Sequence, residues 1–165
     1  MRALLFRIIY FFVFFGTSTI AGMLIPFLQY KGFDPIQTGS LISLFTLSGL
    51  VGLFSIGYFC DKLKTIKKVL FPSLIITTIT GAIAILFNKG VVFYIGFFLM
   101  GLFNSMLGPL CDSWIMESSD DIKVKFGQLR AFGSVGWAFG VLIVGFVISN
   151  LGYKYVTFIY VGSIL

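Results

Sequence analysis

Apolar residues run unbroken along most of this chain, and charged residues punctuate them at long intervals. Arg7 to Lys31 encloses 23 uncharged positions, Asp34 to Asp61 26, Lys68 to Lys89 20, Lys89 to Asp112 22 and Arg130 to Lys154 23. A helix that crosses a bilayer needs about 20 residues, so each window suits one span. Barrel strands alternate polar and apolar positions over roughly 10 residues, a pattern these continuous runs do not show. The spacing predicts helices at about 4–30, 36–59, 69–87, 91–116, 128–149 and from about 154 onward. Only 11 residues, mostly apolar, follow Lys154, so the sixth helix reads as cut short.

Composition explains why the runs belong in lipid. Of 165 residues, 58% are hydrophobic, 11% are charged and 21 are phenylalanine, more apolar surface than a soluble domain of this size can bury. The net charge of +6 would suit an acidic partner such as nucleic acid, but its placement points elsewhere. With the start of the chain inside, Arg2, Arg7, Lys62, Lys64, Lys67, Lys68, Lys123, Lys125 and Arg130 fall on the cytoplasmic side, against Lys31, Lys89 and Lys154 outside. That bias predicts a cytoplasmic N-terminus, with the bilayer rather than nucleic acid as the large partner. A cleaved signal peptide is the competing reading of Met1 to Ala21, and its apolar run is too long for one, continuing to Tyr30. Cys60 and Cys111 lie near cytoplasmic helix ends without metal-ligand spacing, and read as reduced packing residues.

Short turns at Gly32-Phe33-Asp34-Pro35, Asn88-Lys89-Gly90 and Asn150-Leu151-Gly152 make successive helices antiparallel, and longer polar segments at Asp61 to Lys68 and Glu117 to Lys125 both lie inside. Small residues are candidates for close helix contact: Ser48, Gly49 and Gly52 in the second helix, Gly96, Gly101, Ser105 and Gly108 in the fourth, Gly136 and Gly140 in the fifth.

The chain has no histidine, no nucleophile paired with a base, no phosphate loop and no paired intramembrane carboxylates, so enzyme chemistry has little to stand on. A polar constellation remains where the fourth and fifth helices end. Asn104, Gly108 and Asp112 form one stripe, and Arg130, Ser134 and Trp137 another. Asp112 lies five residues before Glu117, and Arg130 five after Lys125, placing each about 7 to 8 Å inside the membrane boundary. An intramembrane charge normally faces a cavity or a partner, so an ion pair is expected. The residue types fit a sugar: a carboxylate accepts from neighbouring hydroxyls, a guanidinium fork donates, and an indole covers the C–H face of a ring. The alternative is that Asp112 and Arg130 merely pin two helices together.

The run from Gly57 to Lys68 resembles the loop between helices two and three in the major facilitator superfamily: Gly, three residues, Asp, a basic residue, any residue, Gly, then a basic cluster. Gly57, Asp61, Lys62, Lys67 and Lys68 match, and Lys64 stands where glycine is usual. The resemblance implies that Asp61 helps latch a gate between two halves. Without it, four lysines beside a membrane read as topology signals, and Asp61 as a helix cap or the partner of a cation. The segment Phe126-Gly127-Gln128-Leu129-Arg130-Ala131-Phe132-Gly133-Ser134-Val135-Gly136-Trp137-Ala138 is similar to the fifth helix of the oligosaccharide:proton symporter family, that of the lactose permeases. An acidic residue precedes the arginine by 18 positions there, as Asp112 precedes Arg130 here, and Gly22 with Pro26 resembles the family's Gly-x-x-x-Pro.

That resemblance implies the N-terminal six-helix bundle of an all-α transporter, with substrate held by Asp112, Arg130, Trp137, Ser134 and Gly22. It also implies a proton as coupling ion with no other cofactor, a small hydrophilic solute such as a sugar, and a C-terminal half outside this sequence. Lactose permeases carry glutamate at Asp112 and cysteine at Ser134, so the solute stays open. Proton symporters for nucleosides or aromatic acids are the near alternatives. A membrane scaffold or channel subunit is the more distant one.

Overall fold

The structure is a computed structural model that describes residues 2–87 and 90–164, the side chains of Arg2 and Ile164 excepted. The helices are α1 (Arg2–Ala21), α2 (Leu24–Tyr30), α3 (Pro35–Leu63), α4 (Lys67–Leu86), α5 (Val91–Met116), α6 (Asp120–Lys123), α7 (Phe126–Leu151) and α8 (Val156–Ile164). Five of them, α1, α3, α4, α5 and α7, are long and apolar enough to cross a membrane. The chain is an all-helical membrane bundle, with α8 packed as its sixth member. Two residues of the turn expected at Asn88-Lys89-Gly90 lie outside the described residues, and with them the outer position of Lys89.

Turn chemistry places the helix starts. Gly32 takes φ 77°. Asp34 then caps α3, its carboxylate accepting from the Gln37 N–H at 2.7 Å while its own N–H donates to Gln37 Oε1 at 3.2 Å, with Pro35 opening the helix. Lys31, just outside α2, donates to the carbonyls of Ile85 at 2.5 Å and Phe87 at 3.0 Å, closing the end of α4. Burial there pushes its ammonium below the usual lysine range.

Two boundaries differ from the sequence reading. The single helix expected over 4–30 is broken at Gly22-Met23. Pro26 has no N–H to offer the Gly22 carbonyl, so the Met23 N–H turns back to Ile20 at 3.1 Å and the ladder restarts with Phe27 donating to Met23 at 2.9 Å. The second helix was expected to end near 59, but α3 runs on to Leu63. Asp61 and Lys62 therefore sit on its last turn rather than in a loop.

Close contacts are made where side chains are absent. On α7, Gly136 lies against the backbone of Phe11, and a Cβ there would stand 2.9 Å from that carbonyl carbon. Gly140 lies against Phe15 and Ser18. On the α3–α5 seam, Gly49 meets Ser105, and Gly52 meets the Leu102 backbone. Gly96 approaches Ile83 of α4, and Gly81 of α4 receives the ring of Tyr160, whose hydroxyl donates to the Thr77 carbonyl at 2.7 Å. The packing order is therefore α7, α1, α8, α4, α5, α3. Helices consecutive in the chain are often not partners: α3 touches α4 only briefly, and α5 hardly meets α7. Two apolar clusters fill the bundle, one around Phe93, Phe97 and Leu28, the other around Tyr10, Leu110 and Leu129.

Candidate solute site at the Tyr10–Asp112–Arg130 triad

Asp112, on α5 beside buried Cys111, is met from two sides. Arg130 of α7 donates through Nη1 to Asp112 Oδ2 at 2.7 Å. Tyr10 of α1 donates its hydroxyl to Asp112 Oδ1 at 2.6 Å. Because α5 and α7 scarcely touch, this ion pair spans a gap that α1 fills. The Tyr10 ring is fully buried and stacks on Phe14 at 5.8 Å between centroids. Gly133 makes room for both rings, since a Cβ there would lie 3.0 Å from Phe14 and 3.3 Å from Tyr10.

Exposure separates the members of the triad. The Asp112 side chain is 24% exposed and that of Arg130 57%. One guanidinium nitrogen is spent on the carboxylate, and the rest of the fork faces outward over the Phe126 ring, 5.9 Å from its centroid. Both carboxylate oxygens are engaged once, which leaves lone pairs on each.

The faces of α7 explain which of its residues stay open. Leu129, Gly133, Gly136, Gly140 and Val144 form its buried stripe. At about 100° per residue, Arg130, Ser134 and Trp137 lie roughly a quarter turn to one side of that stripe. Val135, Phe139, Leu142 and Phe146 lie on the other side, all exposed, as lipid-facing residues are. Ser134 and Trp137 are exposed too, so α7 offers a polar flank headed by Arg130 with an indole two turns further on.

The remaining sequence candidates are distributed differently. Asn104 and Gly108 are half-buried, as Asp112 is, and a Cβ on Gly108 would meet Phe14 at 3.6 Å, but neither residue is a member of the triad. Gly22 lies 12 residues beyond Tyr10, about 18 Å along the helix direction, where it lets α1 cross Val141 of α7. It is not brought to the triad. In the 57–68 run, Gly57 has open space where a Cβ would stand, and Asp61 is exposed with no ion pair among the described residues. Lys62 lies over the Tyr58 ring at 5.5 Å and Lys67 over the Trp114 ring at 5.3 Å, while Lys68 lines a groove beside α3. Lys64 caps α3 with φ 51°, the left-handed conformation that glycine adopts without strain. The glycine usual at that position in the resembled motif therefore has a backbone reason that this chain meets with lysine.

Tyr10 is the residue that sequence reasoning missed. Its one signal is a polar tip within the apolar run Ile8 to Phe15, because a buried tyrosine hydroxyl requires a partner.

A bundle of membrane-length helices, closed by backbone contacts and carrying a partly open Asp112–Arg130 ion pair, defines an integral membrane protein with a polar site on one flank of α7. The chain belongs to the Major Facilitator Superfamily, whose sequence pattern matches residues 7–165. It is similar to a maltose permease of Geobacillus stearothermophilus, 22% identical over 99% of this chain and 42% of the permease. It is also similar to an uncharacterized transporter, YwbF, of Bacillus subtilis, 28% identical over 92% of this chain and 38% of that protein. The chain spans about two-fifths of the length of these curated relatives. No solved structure matches it.

Proposed function

We propose that this chain forms the N-terminal bundle of a secondary transporter that takes up a sugar or oligosaccharide with a proton by alternating access, the solute lying at the midplane against a second bundle. The N-terminus is cytoplasmic and the membrane is a plasma membrane, bacterial in type. The single observation that carries the reading is the triad. Tyr10 and Arg130 hold the Asp112 side chain oriented, while the unspent nitrogens of Arg130 and the exposed indole of Trp137 share one flank of α7. Hydroxyls of a sugar can accept from Arg130 and donate to the free lone pairs of Asp112, and the C–H face of a ring can lie on Trp137. Similarity to a maltose permease supports the same solute class.

By the resemblance to the oligosaccharide:proton symporters, the groups that carry the coupling proton belong to the second bundle. The 165-residue chain alone, reconstituted in vesicles, is expected not to accumulate substrate. The test of the site uses the full-length protein and equilibrium binding of maltose and lactose. Arg130→Lys and Asp112→Ala each remove a hydrogen bond to a charged group, about 1.5–3 kcal/mol, and are expected to weaken binding roughly 10- to 100-fold. Unchanged sugar binding in both variants would sink the assignment. Binding of a nucleoside or an aromatic acid in place of any sugar would move the solute class and keep the site.

A further inference from the structure

Beside the start of α4 lies a groove that the transport reading does not use. It exists because α3 packs on α5 through Gly49 and Gly52 and so leans away from α4, its neighbour in the chain. The walls include Phe59, Leu63, Pro72, Leu102, Phe103 and Met106, around a cavity of about 540 Å³. Ser55 and Ser73 also line it, but their hydroxyls already donate to Val51 and Val69 carbonyls at 2.8 Å each. Lys68 is the one charged side chain in the walls. It sits at the mouth, on the first turn of α4, where the helix meets the membrane interface.

We propose that this groove binds an anionic phospholipid, its phosphate paired with Lys68 and the first part of its acyl chains lying between α3 and α4. An apolar trough with one cationic end calls for a long apolar body with an anionic head, and basic positions at a membrane interface draw such lipids. A transmembrane helix from elsewhere in a longer protein is the competing occupant, and the lone cation of Lys68 at one end of an otherwise apolar trough favours an anionic head over an apolar helix. Lys62 and Lys67, turned onto Tyr58 and Trp114, add to the local field without lining the groove.

Adjacent lysines supply the test, because Lys67→Gln and Lys68→Gln change the net charge equally and only Lys68 faces the groove. Purified full-length protein is titrated with phosphatidylglycerol or phosphatidylcholine and read by native mass spectrometry. The wild type is expected to hold one phosphatidylglycerol in preference to phosphatidylcholine. Lys68→Gln is expected to weaken this about tenfold and Lys67→Gln less than twofold. Leu99 also lines the groove, and Leu99→Trp, which fills it without touching a charge, is expected to displace the lipid. Equal losses in the two lysine variants, no preference between the two lipids, no retained lipid in the wild type, or full retention in Leu99→Trp would each overturn the proposal.

Discussion

A carboxylate at Asp112 and a guanidinium at Arg130 were visible in the sequence because charges are rare inside long apolar runs. The third member was not, because Tyr10 sits among Phe6, Phe11, Phe12, Phe14 and Phe15, and aromatic rings on a membrane helix look alike until their neighbours are known. Tyr10→Phe isolates what the hydroxyl does. It removes a hydrogen bond to a partly exposed charge, so the loss expected in thermal unfolding in detergent is about 1.5 kcal/mol, the low end for charged partners. An unchanged midpoint would mean that the Tyr10 hydroxyl does not support Asp112. Lys64 makes the opposite prediction. A non-glycine residue at positive φ costs about 1–2 kcal/mol, part of which is returned by the stiffer unfolded chain, so Lys64→Gly is expected to stabilise by about 1 kcal/mol. Measured destabilisation there would mean that the lysine side chain holds the turn by contacts of its own.

At the scale of the helix, lengths and turns were legible because Asp34, Pro35, Gly32 and Gly152 mark them by capping and by positive φ. The end of α3 was not, since polar Asp61 and Lys62 read as loop although the backbone stays helical to Leu63. Nor was the interruption at Gly22, which needs Pro26 to be counted back four residues to the carbonyl left without its donor. Glycines also divide in a way composition hides. Gly136 abuts the Phe11 backbone, so Gly136→Ala is expected to cost about 1–3 kcal/mol by overpacking. Gly57 faces open space within a helix, so Gly57→Ala is expected to add about 0.5–1 kcal/mol. Equal effects of the two substitutions, in the same unfolding assay, would contradict the helix seams described above.

For the whole molecule, membrane class was legible from bulk pattern, but partnership was not. Short turns predict antiparallel succession and say nothing of which helices touch, so α1 standing between α5 and α7 could only come from three-dimensional packing. Orientation is a separate, testable matter. In a background with Cys60 and Cys111 replaced, Ile36→Cys and Val124→Cys place thiols at two of the most exposed positions, 82% and 87%, on opposite sides of the bundle. An impermeant maleimide applied to intact cells is expected to label position 36 and spare 124, and the reverse pattern would invert the topology.

The seam between α1 and α7 has a mechanical meaning. Where Gly136 and Gly140 press on the backbones of Phe11 and Phe15, helix meets helix with no side chain of α7 between them to swing and absorb sliding. These two helices, with the triad bolted across them by Tyr10 and Arg130, must travel as a single rigid strut. Any rearrangement of the bundle is left to the boundaries that bulky side chains fill, such as the ring of Tyr160 between α8 and α4.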